Sequence, residues 1–214
     1  MVRAPEDWRG ILRRAEALVR RRDVRALDLL IPALRWRDQT ARGKAVALLA
    51  RLGPRVVPRL LETLERAETA TQRWGAAEAL GRIGDSRAVP RLIRALGDPA
   101  MTVRRSAMIA LLRLEAMDAV PHVVRRLQDE SGGVRVLAAN VLGRFADPRA
   151  VPALVQALGD SQWYVRQAAA TALGEIGDLR AVGALEKATH DPRKAVSRAA
   201  ARSEERRVGK ECRL

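Results

Sequence analysis

The chain has one cysteine, Cys212, in 214 residues. That excludes an internal disulfide framework and any cluster of thiolates around a metal. Aromatic residues make up only 3% of it, so a core has to be built from small aliphatic contacts. No apolar run approaches the roughly 18 residues that a membrane-spanning helix needs. The opening residues, Met-Val-Arg-Ala-Pro-Glu-Asp, lack the apolar stretch of a secretion signal. A soluble cytoplasmic protein with no membrane partner is expected. The two histidines, His122 and His190, stand apart, and neither sits at metal-ligand spacing. No glycine-rich loop follows a strand pattern, and no serine has a paired base. On these grounds no catalytic residue, metal or cofactor is expected, and the chain does not read as an enzyme.

Charge and aliphatic residues are what the chain does have. Forty basic residues face 25 acidic ones, for a formal net charge of +15. Thirty-six of the basic residues are arginine and four are lysine, a ratio that genome composition alone can produce. The positive balance allows an acidic protein partner or a nucleic acid.

The organising feature is a repeat of 31 residues. From Asp147 to Gly177 the chain reads Asp-Pro-Arg-Ala-Val-Pro-Ala-Leu-Val-Gln-Ala-Leu-Gly-Asp, then Ser-Gln-Trp-Tyr-Val-Arg-Gln-Ala-Ala-Ala-Thr-Ala-Leu-Gly-Glu-Ile-Gly. The same pattern returns in both directions, which marks stacked supersecondary units. Residues 1–22 predict an N-terminal cap whose helix runs from Pro5 to about Arg22, with Pro5, Glu6 and Asp7 in its first turn and Trp8, Ile11, Leu12, Ala15, Leu18 and Val19 on one face. Six units follow, at 23–53, 54–84, 85–115, 116–146, 147–177 and 178–201. Each predicts a helix A and a helix B. Pro58, Pro90, Pro121 and Pro152 suit the first turn of helix A, where a missing N–H costs nothing. Helix B carries a small residue (Ala45, Ala76, Ala107, Ala138, Ala169) four positions before a leucine (Leu49, Leu80, Leu111, Leu142, Leu173). Gly53, Gly84 and Gly177 close it, where a left-handed cap is easily formed.

The stretches Gly84-Asp-Ser-Arg-Ala-Val-Pro-Arg-Leu-Ile-Arg-Ala-Leu96 and Val165-Arg-Gln-Ala-Ala-Ala-Thr-Ala-Leu-Gly-Glu-Ile-Gly177 resemble HEAT-like repeats of the short phycobilin-lyase type. The resemblance covers about residues 23–201. It implies an all-α, right-handed solenoid of antiparallel helix pairs, with helix B lining a concave face. It implies a scaffold, and leaves lyase or chaperone-like activity open. HEAT-like deoxyhypusine hydroxylases carry several His-Glu motifs for iron, which this sequence does not have. The pattern fails after Ala201: Glu204 stands where a leucine is due. Residues 202–214 resemble the translation of sequencing-adapter read-through and are expected not to be native; without them the net charge would be +13.

Four sets of residues are candidates for function or framework. Arg42, Arg73, Arg104, Arg135 and Arg166 recur with Asp98, Asp129, Asp160 and Asp191, and read as a structural ion-pair ladder. Arg51, Arg82, Arg113 and Arg144 recur near the end of helix B, with Glu175 breaking the series. They form either a solvated helix end or a basic stripe for phosphates. Positions expected outward on the helix B face vary between units: Trp74, Glu78, Met101, Thr102, Arg105, Ile109, Val136, Asn140, Trp163, Tyr164, Gln167 and Thr171. Within them Trp74, Trp163 and Tyr164 stand out as protein-contact anchors, since Trp and Tyr dominate binding hot spots. The expected function is a non-catalytic scaffold for protein–protein interaction, with nucleic-acid binding through the basic groove as the alternative.

Overall fold

A computed structural model describes residues 5–211, with side chains up to residue 205. The expectations for residues 1–4 and for Cys212 lie outside the described residues. The chain divides into two compact units, Met1–Ala116 and Met117–Leu214. Among the described residues every regular element is helical.

The first unit holds α1 (Trp8–Arg20), α2 (Leu27–Ala33), α3 (Gln39–Arg51), α4 (Val57–Arg66), α5 (Ala70–Ile83), α6 (Val89–Ala95) and α7 (Met101–Arg113). The second holds α8 (Val120–Arg125), α9 (Gly132–Phe145), α10 (Val151–Ala157), α11 (Trp163–Ile176), α12 (Val182–Ala188) and α13 (Lys194–Glu211). The even-numbered helices are the A helices of the repeat. The protein is an all-α repeat solenoid, as the period implied.

Local chemistry sets the boundaries. The Asp7 carboxylate accepts from the Gly10 N–H at 3.1 Å, so α1 begins at Trp8 and not at Pro5. Each A helix is entered through a short 3-10 turn. In four units its cap is an aspartate (Asp23, Asp85, Asp147, Asp178) that accepts from the N–H two residues on. The helix-A prolines fall in the first turn. The last helix does not stop at Ala201 but runs to Glu211. On it Ser203 is buried, and its hydroxyl lies 2.9 Å from the carbonyls of both Ala170 and Ala199.

The core is the aliphatic layer that the period predicts. Ala45, Ala76, Ala107, Ala138 and Ala169 are fully buried, as are Leu49, Leu80, Leu111 and Leu142. Burying each such leucine contributes about 1.5–3 kcal/mol. B helices pack on B helices, α3 on α5 and α5 on α7 in one unit, α9 on α11 and α11 on α13 in the other. Small residues bring them close. A Cβ placed on Gly81 would lie 2.7 Å from the Ala110 backbone, and one on Gly143 would lie 3.0 Å from the Ala172 backbone.

A 31-residue recurrence also governs the backbone at the unit ends. Arg22, Gly53, Gly84, Glu115, Ala146 and Gly177 all take positive φ, between 50° and 79°. Three of these positions hold non-glycine residues in the left-handed region, which glycine tolerates and L-residues resist.

Candidate interaction surface

The arginine ladder forms between successive repeats inside each compact unit. Arg73 grips Asp98 through two bonds of 2.7 and 3.0 Å, Arg135 grips Asp160 at 2.7 and 3.0 Å, and Arg166 grips Asp191 at 2.7 and 3.1 Å. The third guanidinium nitrogen donates to loop carbonyls before helix B, as Arg73 does to Ala67 at 2.8 Å. Arg104 does the same to the carbonyls of Asp98 and Pro99. These arginines staple one repeat to the next and are only slightly exposed. The Arg166 guanidinium holds the Asp191 carboxyl below the usual carboxylate range.

A second arginine–aspartate series is present that the sequence reading missed. Asp85–Arg87, Asp147–Arg149 and Asp178–Arg180 pair at 2.6 to 2.7 Å, and each arginine also reaches a carbonyl of the preceding turn, Pro54, Met117 or Pro148. Its signal was the recurring Asp-x-Arg-Ala-Val string. The arginine beside each acid lowers its pKa, for Asp178 to about 2.

The C-terminal arginines of the B helices are less uniform. Arg82 pairs with Glu78 one turn earlier at 2.7 Å, and Arg51 approaches Glu16 of α1 at 3.6 Å. Arg113 and Arg144 are exposed, and no carboxylate pairs with either among the described residues. The four therefore differ in their electrostatic state, unlike the ladder arginines.

The variable positions on the B helices are placed in two sets. On α5 and α7, Trp74 is half-buried beneath the Arg42 guanidinium, 5.7 Å from its ring centre. Glu78 is held by Arg82, Met101 is 47% exposed, Thr102 and Arg105 are exposed, and Ile109 is half-buried. On α9 and α11, Val136 and Gln167 are half-buried and Asn140 and Thr171 are exposed. The Thr171 hydroxyl donates back to the Gln167 carbonyl at 3.0 Å. Trp163 and Tyr164 open α11 at 39% and 38% exposure, with ring centres 5.8 Å apart in an edge-to-face pair. The Tyr164 ring lies across the first residue of α9. A Cβ on Gly132 would meet its hydroxyl oxygen at 2.7 Å, so a larger residue there would displace the ring. That contact leaves no mark in the sequence, because Gly132 and Tyr164 are 32 residues apart and no local motif links them.

Among the described residues, no group of three or more His, Cys, Asp or Glu side chains could hold a metal ion, and no helix is long and apolar enough to cross a membrane.

Comparison with known proteins gives the lineage. The family model for HEAT repeats matches residues 27–113, 57–135 and 120–204. Phycocyanobilin lyase subunit beta from Pseudanabaena tenuis (strain PCC 7409) is 39% identical over 84 residues, covering 39% of this chain and 29% of that protein. This chain thus matches less than a third of the relative's length. Human deoxyhypusine hydroxylase, solved with glycerol, superposes with a TM-score of 0.54 at 23% identity, covering 93% of this chain and 79% of the other. A designed armadillo repeat protein in complex with the peptide (KR)4 superposes at 0.57 and 18% identity, covering 85% and 99%. The last two likenesses concern the fold alone.

One expectation is corrected by these findings. The chain read as no enzyme because it carries no catalytic motif. Its relative in sequence is a named subunit of a lyase, so its relationships are with an enzyme. A subunit built of repeats can serve an enzyme through its variable surface, without any short motif of its own.

Proposed function

The chain belongs to the HEAT-repeat family, and from that premise we propose that it is a scaffold that binds a protein partner in the service of an enzyme. The surface we assign is the B-helix face of α9 and α11, with Trp163 and Tyr164 as anchors. The observation that carries this reading is the exposed edge-to-face pair at the start of α11. Two large aromatics that each keep more than a third of their surface exposed are unusual in a chain whose core is aliphatic, and burial of such rings supplies much of the energy of a protein interface. Variation of the neighbouring positions within a constant framework supports it, since a repeat scaffold changes its specificity there. The surplus of exposed arginine favours an acidic partner surface.

The lyase-subunit relative supports the enzyme-related part of the proposal. On that reading the bound protein is presented for a lyase-type reaction involving phycocyanobilin. The test has two steps. The full chain and a Trp163→Ala/Tyr164→Ala variant are used as bait in extracts of the source cells, and any partner is then bound in purified form. Loss of at least about tenfold in affinity on removing the rings is expected for an anchor pair. Equal affinity would remove the assigned surface. The partner, the chain and free phycocyanobilin are then mixed. A covalent adduct that forms faster with the chain than without it supports the lyase role, and no acceleration rejects it.

A further inference from the structure

We propose that the groove between α1 and α3 binds a small amphipathic anion, a molecule with an aryl or hydrocarbon body and a single carboxylate or sulfonate. This site lies in the first unit, apart from the Trp163–Tyr164 surface, and does not depend on the reading above.

The groove encloses about 490 Å³, within the ordinary size range of sites that take drug-sized ligands. Its floor is apolar. Leu12 and Leu48 lie there, 5% and 8% exposed, with Ala47 beside them. Trp8 forms one wall, half-buried, with two cations near its ring: the Arg9 guanidinium lies 5.0 Å and the Lys44 ammonium 5.5 Å from the ring centre.

The rim carries the opposite chemistry. Arg9, Arg13, Lys44 and Arg51 line it against one acid, Glu16. Glu16 is already approached by Arg20 at 3.3 Å and Arg51 at 3.6 Å, so it does not neutralise the remaining three cations. A ligand suited to this place buries an apolar body on Leu12, Leu48 and Trp8 and leaves an anionic head among the rim cations. A neutral apolar molecule would leave the cations unanswered. A polyanion such as nucleic acid would leave the apolar floor uncovered. The combination selects an amphipathic anion.

The probe is 8-anilinonaphthalene-1-sulfonate, titrated into the full chain and followed by its fluorescence. N-phenyl-1-naphthylamine, the same aryl body without the sulfonate, is the neutral comparison. One saturable site per chain is expected. Affinity should fall at least about tenfold for the neutral probe, and by as much for the sulfonate with an Arg13→Glu/Lys44→Glu variant. Both substituted residues are exposed, so the variant keeps its fold. A Lys187→Glu/Arg198→Glu variant makes the same change of net charge on exposed positions of the second unit and should bind within about twofold of the parent. The proposal is overturned if the neutral probe binds as tightly as the sulfonate, if the sulfonate binds at many equal sites, or if both charge variants weaken it equally.

Discussion

The left-handed residues at the unit ends make the sharpest stability prediction. Glu115 and Ala146 sit at φ 50° and 52°, at positions where Gly53, Gly84 and Gly177 take 71° to 79°. Both are exposed, so replacement by glycine removes little packing. An L-residue in this region costs about 1–2 kcal/mol relative to the right-handed form. Glycine escapes that cost but loses about 0.4–1 kcal/mol through the greater freedom of its unfolded chain. Glu115→Gly and Ala146→Gly should each stabilise the protein by about 0.5–1 kcal/mol. For a chain of this length that is about 1–4 °C in the melting midpoint. The sites are 31 residues apart in sequence and lie in different units, so the double variant should show the sum. The converse is Gly84→Ala. No atom lies within 4 Å of a Cβ built at Gly84, so the substitution tests backbone conformation alone and should destabilise by about 1 kcal/mol. Urea and thermal unfolding followed by far-UV circular dichroism read all four variants. If Gly84→Ala proves neutral, or if the glycine substitutions lower the midpoint, the reasoning from φ is wrong.

Three further outcomes are expected. Arg135→Ala strands Asp160, whose side chain is 12% exposed, and should cost about 1–3 kcal/mol in urea unfolding, whereas exposed Arg113→Ala should stay within about 0.5 kcal/mol. Asp85, Asp147 and Asp178 have carboxyl pKa values lowered by their arginines, to about 2 for Asp178. Their contribution to stability is therefore complete above the ordinary carboxylate range near pH ~4 and lost as pH falls towards 2, and Asp178→Asn should lose less over that interval than the parent. Gly132→Leu should drive the Tyr164 ring from its place over α9 and change the near-UV dichroism without changing the helix content. An unchanged aromatic signal would mean that the ring does not rest there in solution.

The fold was legible because its cause is periodic. A leucine or alanine that returns every 31 residues can be satisfied only by the same burial in each unit, and Leu49, Leu80, Leu111 and Leu142 are all fully buried. The arginine ladder was legible for the same reason. Less legible were features made by residues that break the period. Glu115 and Ala146 hid their shared left-handed turn because a glycine rule looks only for glycine. The start of α1 was misplaced because proline and acid at Pro5–Glu6 matched a first turn, yet the Asp7 cap decides where the helix begins. The groove beside Trp8 was invisible, since its walls come from α1 and α3 and no sequence spacing relates Trp8 to Lys44. Enzyme relationship was misjudged because a motif search assumes that each chain carries its own chemistry.

The most direct test of the scaffold assignment is site-specific photocrosslinking. A benzophenone side chain is introduced at Tyr164, or at Glu186, which is exposed on α12, an A helix. Each protein is irradiated with the captured partner, and the products are mapped by mass spectrometry. Crosslinks are expected from position 164 and none from position 186. Crosslinking from 186 alone would place the partner on the A helices and contradict the claim that Trp163 and Tyr164 anchor it.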